Sequence, residues 1–361
     1  MTRALVLREP NTPLTLEDID LAPTGPGQVR VRVHASGVCR SDHSLATGVF
    51  PYLMPVVLGH EGAGVVTEVG DGVTSVAPGD HVVIAWNQPC RECRYCLDGE
   101  VHLCERAMME VLSAPYATSG GAPLYSMQGA GTFAEETLCI EHSVVRIDDD
   151  IPLEIAALVG CGVTTGVGAV LNSAKVPSGA TVAVVGCGGV GLAAIQAARI
   201  AGASRIVAVD VSPGRLQMAR TLGATDTIDG SAQDPVATVM ELTGRGVDFA
   251  FEVVGRSATI RTAYDITRRG GTTVVVGAGA VTDVVGFNAL ELFFNAKTVM
   301  GSYYGSSDPA RDFPRFLDMY RRGELDLGAM ISDRIDLADV PAAFERMERA
   351  DGARSVVVFP T

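Results

Sequence analysis

The chain has 361 residues, beyond the ~250–300 at which a single core stops growing, so two domains are expected. Hydrophobic residues at 47% against charged residues at 19% exclude a disordered chain. A formal charge of −14 with no Lys/Arg run argues against nucleic acid or an anionic membrane surface as partner, and leaves a small-molecule ligand.

The start, Met1 to Pro10, has no long apolar stretch and no cleavage site, so it does not read as a secretion signal and the cytoplasm is the expected location. Residues 1–150 divide at Gly and Pro into strand-like segments, Arg3–Leu7, Gln28–Val38, Gly64–Val69 and His81–Ala85, with turns at Pro26-Gly27 and Pro78-Gly79. This half is expected to be antiparallel and all-β in core. The run Ala180 to Ala198 is apolar and close to the ~20 residues a bilayer requires. Its composition changes along its length, from β-branched residues through glycines to good helix formers, so it reads as strand, turn and helix. From about 175 to 300 strands and helices alternate, with strands at 181–185, 205–209, 248–253 and 272–277 and helices at 190–202, 213–222 and 257–268. Such alternation implies a parallel sheet built from βαβ units. The tail should hold helices near 309–322 and 338–350 and a closing strand, Ser355–Phe359.

Gly186, Gly188 and Gly191 follow an expected strand and open an expected helix. Backbone N–H groups and the positive end of the helix can then face a pyrophosphate without side-chain obstruction. The next strand ends at Asp210, 24 residues after Gly186, where a carboxylate can accept both adenosine ribose hydroxyls and repel a 2′-phosphate. NAD is therefore expected rather than NADP. Arg215 is close enough to touch the same ribose, with a solvated helix face as the other reading.

The eight cysteines, at 39, 90, 93, 96, 104, 139, 161 and 187, form no evenly spaced disulfide framework. Cys90, Cys93, Cys96 and Cys104 have the spacing of a closed tetrahedral Zn site, which would be structural; two disulfides are the alternative. Cys139 and Cys187 read as small packing residues. A catalytic metal needs three protein ligands and an open position. Cys39, His60 and Cys161 are of the right type, but spacing does not join residues so far apart, and each alone reads as a buried thiol or a satisfied histidine.

Taken together, Cys39–Asp42, Gly59–Gly64, the four-cysteine knuckle, Cys161-Gly-Val-Thr-Thr-Gly, the 186–191 turn, Phe251-Glu-Val-Val-Gly and Arg354-Ser-Val-Val-Val-Phe resemble the zinc-dependent medium-chain alcohol dehydrogenases of the long-loop, class I/class III-like branch. The resemblance implies a two-domain α/β protein. Residues 1–162 and 304–361 would form a GroES-like β-rich catalytic domain, and 163–303 a Rossmann doubly wound parallel-sheet domain. It also implies that Cys39, His60 and Cys161 bind catalytic Zn and that the knuckle binds structural Zn. Arg40 and Arg354 would hold the pyrophosphate, and Thr165, Gly189, Val190, Val254 and Gly277 would line the rest of the cofactor site. Asp42 can accept the ring N–H of His60 and fix its tautomer, while Glu61 adjusts the metal from behind. Ser41 would take the substrate's hydroxyl proton. Many relatives continue that relay through a histidine three residues later; here the position is Ser44, so the proton is expected to leave by water or His43.

The activity implied is zinc-dependent oxidation of primary, bulky aliphatic or aromatic alcohols to aldehydes with NAD, in a pocket walled by Phe50, Trp86, Met109 and Phe133. A thiol-adduct formaldehyde dehydrogenase is the alternative, because residues 162–176 are similar to that branch. Against glutathione as the thiol, Met108 stands where glutathione-using members carry Arg, and the loop 47–55 has no acid. A non-enzymatic NAD-binding sensor or structural protein would have no need of the open metal site, and all three of its candidate ligands are present. The long interval from Cys104 to Phe133 is similar to that of dimeric relatives, so a homodimer is expected, with parallel sheets pairing near 280–303.

Overall fold

The computed structural model describes residues 1–107 and 115–360. Among these residues the strands form three sheets. Thr2–Leu7, Thr15–Leu21, Ala117–Ser119, Ala122–Ser126 and Val56–Val57 close a small barrel. A second sheet runs Val144–Ile147, His81–Ile84, Glu61–Val69, Gln28–Gly37, Arg354–Val358, Ile331–Ile335, with Glu136–Ile140 also paired to Gln28–Gly37. The third has six strands, all parallel, in the order Asp226–Asp229, Arg205–Asp210, Thr181–Val185, Val247–Glu252, Thr267–Val275, Thr298–Gly301. That order reverses at the central strand, as in a doubly wound dinucleotide-binding sheet.

The middle of the parallel sheet is covered on both faces, so its strands are near-continuous apolar runs: Val182, Ala183 and Val184 have no exposed surface. The expected helices recur as Gly189–Ile200, Pro213–Leu222 and Ser257–Ile266. Two edge strands, Asp226–Asp229 and Thr298–Gly301, were not expected, because short and half-exposed segments carry no clear hydrophobic period. The strand expected at 272–277 begins at Thr267 and stops at Val275. Beyond it the amides of Val276 and Gly277 both donate to the Glu252 carbonyl, which ends the ladder.

The amino-terminal half is antiparallel apart from Val56–Val57, which pairs parallel with Ala122–Ser126. The closing strand Arg354–Val358 lies antiparallel to Gln28–Gly37, so the tail returns to the first sheet; Ile331–Ile335 then pairs parallel with it. One continuous helix, 153–173, is apolar and long enough to cross a membrane, but most of its apolar stretch is buried inside the protein. It is interrupted by π-helical turns at Val159–Val163 and Ala169–Ser173. Such turns recur at functional sites, and the first carries Cys161.

Candidate active site

The glycine turn has the local geometry its sequence demands. Gly186 has φ 98°, a conformation that side-chain-bearing residues resist. A Cβ on Gly191 would lie 1.9 Å from the Gly186 carbonyl oxygen, so only glycine lets the helix start this close to the strand. A Cβ on Gly188 would meet nothing within 4 Å, which leaves open space over the turn. Asp210 stands beside it, accepting from the Cys187 amide at 2.6 Å and the Ser212 amide at 2.9 Å. Arg215 is half-buried; its Nε donates to the Gly352 carbonyl at 2.9 Å, and burial lowers its pKa. Val254 packs over the turn, within 2.7 Å of where a Gly186 Cβ would be. Gly277 sits close to the Gly255 amide. Thr165 lies half-buried on the helix whose Gly166 meets the Val190 carbonyl, and Val190 is itself half-buried on the turn's helix.

Four cysteine sulfurs meet at the knuckle, with Cys90 and Cys96 3.9 Å apart and Cys93 and Cys104 also 3.9 Å apart. That separation excludes disulfides, and all eight cysteines are free. It approaches the ~3.8 Å edge of a tetrahedron whose Zn–S arms are about 2.3 Å. Backbone amides of Cys93 and Glu92 point at the Cys90 sulfur, at 3.3 and 3.5 Å, and the Cys90 amide points at that of Cys104, at 3.3 Å. Such donors favour thiolates. The donor set fits a closed zinc site.

A second cluster assembles what sequence spacing could not join: Cys39, His60, Glu61 and Cys161 are buried with their ligand atoms within 4.8 Å of one another. Cys39 caps the helix Arg40–Ala46. Asp42, in the first turn of that helix and without exposed surface, accepts from the Cys39 amide at 2.8 Å and from the Gly59 amide at 3.0 Å. Its Oδ1 also lies 3.0 Å from Nδ1 of His60. Both carboxylate oxygens already accept from backbone, so Nδ1 is the donor and Nε2 is left free as a ligand. Hydrogen bonding between the two thiols holds Cys39 well below the ordinary thiol range and raises Cys161. Two thiolates and an imidazole make a zinc donor set with one position open.

Behind this cluster, burial pushes the Glu61 carboxyl up to about 8, against the pull of Arg354, whose Nη1 is 3.3 Å away. Arg354 also donates to the Val38 carbonyl at 3.1 Å, while its buried Nε has no hydrogen-bond partner among the described residues. That Nε lies 2.8 Å from where a Gly189 Cβ would stand, so an unpaired donor abuts the glycine turn, as a pyrophosphate site would require.

Arg40 is exposed, Ser41 is half-buried with its Oγ 3.9 Å from the Cys39 sulfur, and Phe50 is half-buried with its amide 3.4 Å from the Ser44 carbonyl. His43 is turned to Glu348, with Nε2 3.1 Å from Oε1, and its ring edge meets Phe344. Trp86 stands edge-on to His60, ring centroids 6.5 Å apart. Phe133 has no exposed surface; it packs with Leu5, Val38, Leu45 and Leu58, and its ring lies 2.7 Å from where a Gly59 Cβ would stand, one residue before His60. Met109 lies outside the described residues. Tyr303 and Tyr304, which contact Trp86, were missed. They follow the edge strand Thr298–Gly301 after Ser302, and ligands bind outside the carboxyl ends of such strands; recognising that strand would have found them.

A dinucleotide sheet joined to an open thiolate–imidazole donor set defines a metal-dependent, nicotinamide-linked dehydrogenase. Residues 25–149 match the alcohol dehydrogenase GroES-like domain, and residues 189–322 match the zinc-binding dehydrogenase model. The chain is 39% identical to the S-(hydroxymethyl)glutathione dehydrogenase of Synechocystis sp., over 99% of this chain and 100% of that protein. It is 36% identical to the class-3 alcohol dehydrogenase of Zea mays, over 99% and 96%. The solved benzyl alcohol dehydrogenase of Acinetobacter calcoaceticus has TM-score 0.93 at 30% identity, covering 99% of each chain. The chain belongs to the zinc-dependent medium-chain alcohol dehydrogenases. It is an NAD-dependent zinc enzyme with a GroES-like catalytic part and a Rossmann part, and its substrates are small-molecule alcohols and aldehydes.

Proposed function

We propose that the enzyme oxidises the hydroxymethyl adduct of formaldehyde with a low-molecular-weight thiol. The observation that carries this reading is full-length identity of 39% to an S-(hydroxymethyl)glutathione dehydrogenase, which favours the thiol adduct over the free bulky alcohols that the apolar wall suggested. The free-alcohol reading retains one support, the structural likeness to a benzyl alcohol dehydrogenase. The loop 47–55 has no charged side chain, which argues for a thiol other than glutathione.

In this reading Cys39, His60 and Cys161 hold the catalytic zinc, and the knuckle holds the structural one. Bound zinc supplies a Lewis acid for the substrate oxygen, and NAD accepts the hydride. Asp42 fixes the imidazole so that Nε2 faces the metal. Ser41 takes the hydroxyl proton, and His43, held by the largely exposed Glu348, passes it to solvent. Arg40 and Arg354 hold the pyrophosphate. Asp210 accepts the ribose hydroxyls and disfavours a 2′-phosphate.

Residues 1–162 with 304–361, and residues 163–303, are read as the two domains, in a cytoplasmic homodimer. Support for the dimer is exposed apolar surface in the stretch 280–303, where Val281 and Phe293 are 83% and 81% exposed. A monomer or tetramer by light scattering would remove the dimer. The function is tested by NADH formation, with NAD in excess, from hexanol, benzyl alcohol and the hydroxymethyl adducts of glutathione and mycothiol. Turnover confined to free alcohols would reject the adduct reading.

A further inference from the structure

Tyr303 is 45% exposed, whereas its neighbour Tyr304 is buried. The difference arises in the backbone. Tyr304, Gly305 and Ser306 have φ of 52°, 63° and 49°, three successive left-handed residues. Such a conformation persists only where the surroundings over-determine it. Here the Tyr304 hydroxyl donates to the Gly160 carbonyl at 2.6 Å, one residue before Cys161. The Gly305 backbone lies against Gly168, where a Cβ on either would meet the other's backbone within 2.8 Å. Ser306 is 2.7 Å from the Ser173 hydroxyl. The strap is thus bolted to the helix that carries Cys161, and Tyr303 sits at its start.

The ring of Tyr303 meets Trp86 edge to face, centroids 5.5 Å apart, and Trp86 in turn stands edge-on to His60. A rigid strap therefore holds a partly open aromatic face beside the metal donors. We propose that Tyr303, with Trp86, is a specificity-determining residue that reads the group bonded to the carbinol carbon, favouring a polarizable substituent, a thioether sulfur or an aryl ring, over an alkyl chain. Sulfur gains from an aromatic edge at about 5 Å, and aryl rings gain from edge-to-face contact. An alkyl chain gains only by leaving water. The sulfur arm rests on the thiol-adduct reading above; the aryl arm does not.

The test compares wild type with Tyr303→Phe, Tyr303→Leu and, as a second aliphatic replacement, Tyr303→Ile, each checked for folding by NADH binding. kcat/KM is measured for S-(hydroxymethyl)glutathione, benzyl alcohol and hexanol. In both aliphatic variants the adduct-to-hexanol and benzyl-to-hexanol ratios should fall about two- to tenfold. Tyr303→Phe should keep both ratios within about twofold, since the ring remains. Unchanged ratios in the aliphatic variants, or an equal fall in Tyr303→Phe, would overturn the proposal. So would a wild type that prefers hexanol to both other substrates. Should wild type refuse the adduct alone, the thiol reading fails while the benzyl-to-hexanol ratio still judges Tyr303.

Discussion

Asp42→Asn perturbs the one carboxylate that ties Cys39, Gly59 and His60 together. Its three donors lie at 2.8, 3.0 and 3.0 Å, and the side chain has no exposed surface. Asparagine in the same pose keeps an oxygen for Gly59 and His60 but turns its NH2 toward the Cys39 amide, donor against donor. An unsatisfied buried donor costs about 1–3 kcal/mol. The two remaining hydrogen bonds change from charge-assisted to neutral, a loss of about 1 kcal/mol each. The sum is about 3–5 kcal/mol. Part of it falls on metal binding, where losing the residue that orients a ligating histidine weakens affinity about 10–100-fold. The assay is zinc retained per chain after dialysis against graded chelator, with activity read before and after zinc is restored. Asp42→Asn should release one zinc at about 10–100-fold lower chelator and keep the other. Equal retention of both with unchanged kcat/KM would refute the reasoning that Asp42 sets the tautomer of His60.

Cys96→Ser should leave one zinc per chain by elemental analysis and lower the thermal midpoint, while NADH still binds, because the knuckle lies apart from the parallel sheet; loss of NADH binding would contradict that separation. Replacing Asp210 with Ser removes the charge that meets a 2′-phosphate, so the NADP-to-NAD ratio of kcat/KM should rise about tenfold or more; an unchanged ratio would take Asp210 out of the ribose site. His43 has its pKa lowered by burial first and by Arg40, with Glu348 pulling it back up. Removing that carboxylate in Glu348→Gln lowers the His43 pKa further, so the acid limb of the turnover profile should move to lower pH, and His43→Gln should flatten it. Identical profiles in wild type and both variants would mean that protons leave by water alone.

The glycine turn and the knuckle were legible in the sequence because their geometry is local. Gly186, Gly188 and Gly191 dictate backbone approach within six residues, and Cys90 to Cys104 close a tetrahedron within fifteen. The parallel sheet's central strands were equally legible, since burial on both faces writes an unbroken apolar run. The edge strands Asp226–Asp229 and Thr298–Gly301 were not, because a strand with one neighbour and an exposed face needs no such run. The second metal cluster was only suggested, by resemblance. Cys39 is delivered by a helix cap, His60 by the start of a strand, Cys161 by a π-helical turn, and Arg354 by a closing strand that pairs with Gln28–Gly37 across more than 300 residues. The sequence by itself determined which thiolates, imidazole and glycines were available. Only tertiary structure decided that Phe133 belongs to the core, that His43 faces Glu348, and that Tyr303 stands open beside Trp86, because side-chain direction and burial depend on long-range pairing that no local pattern encodes.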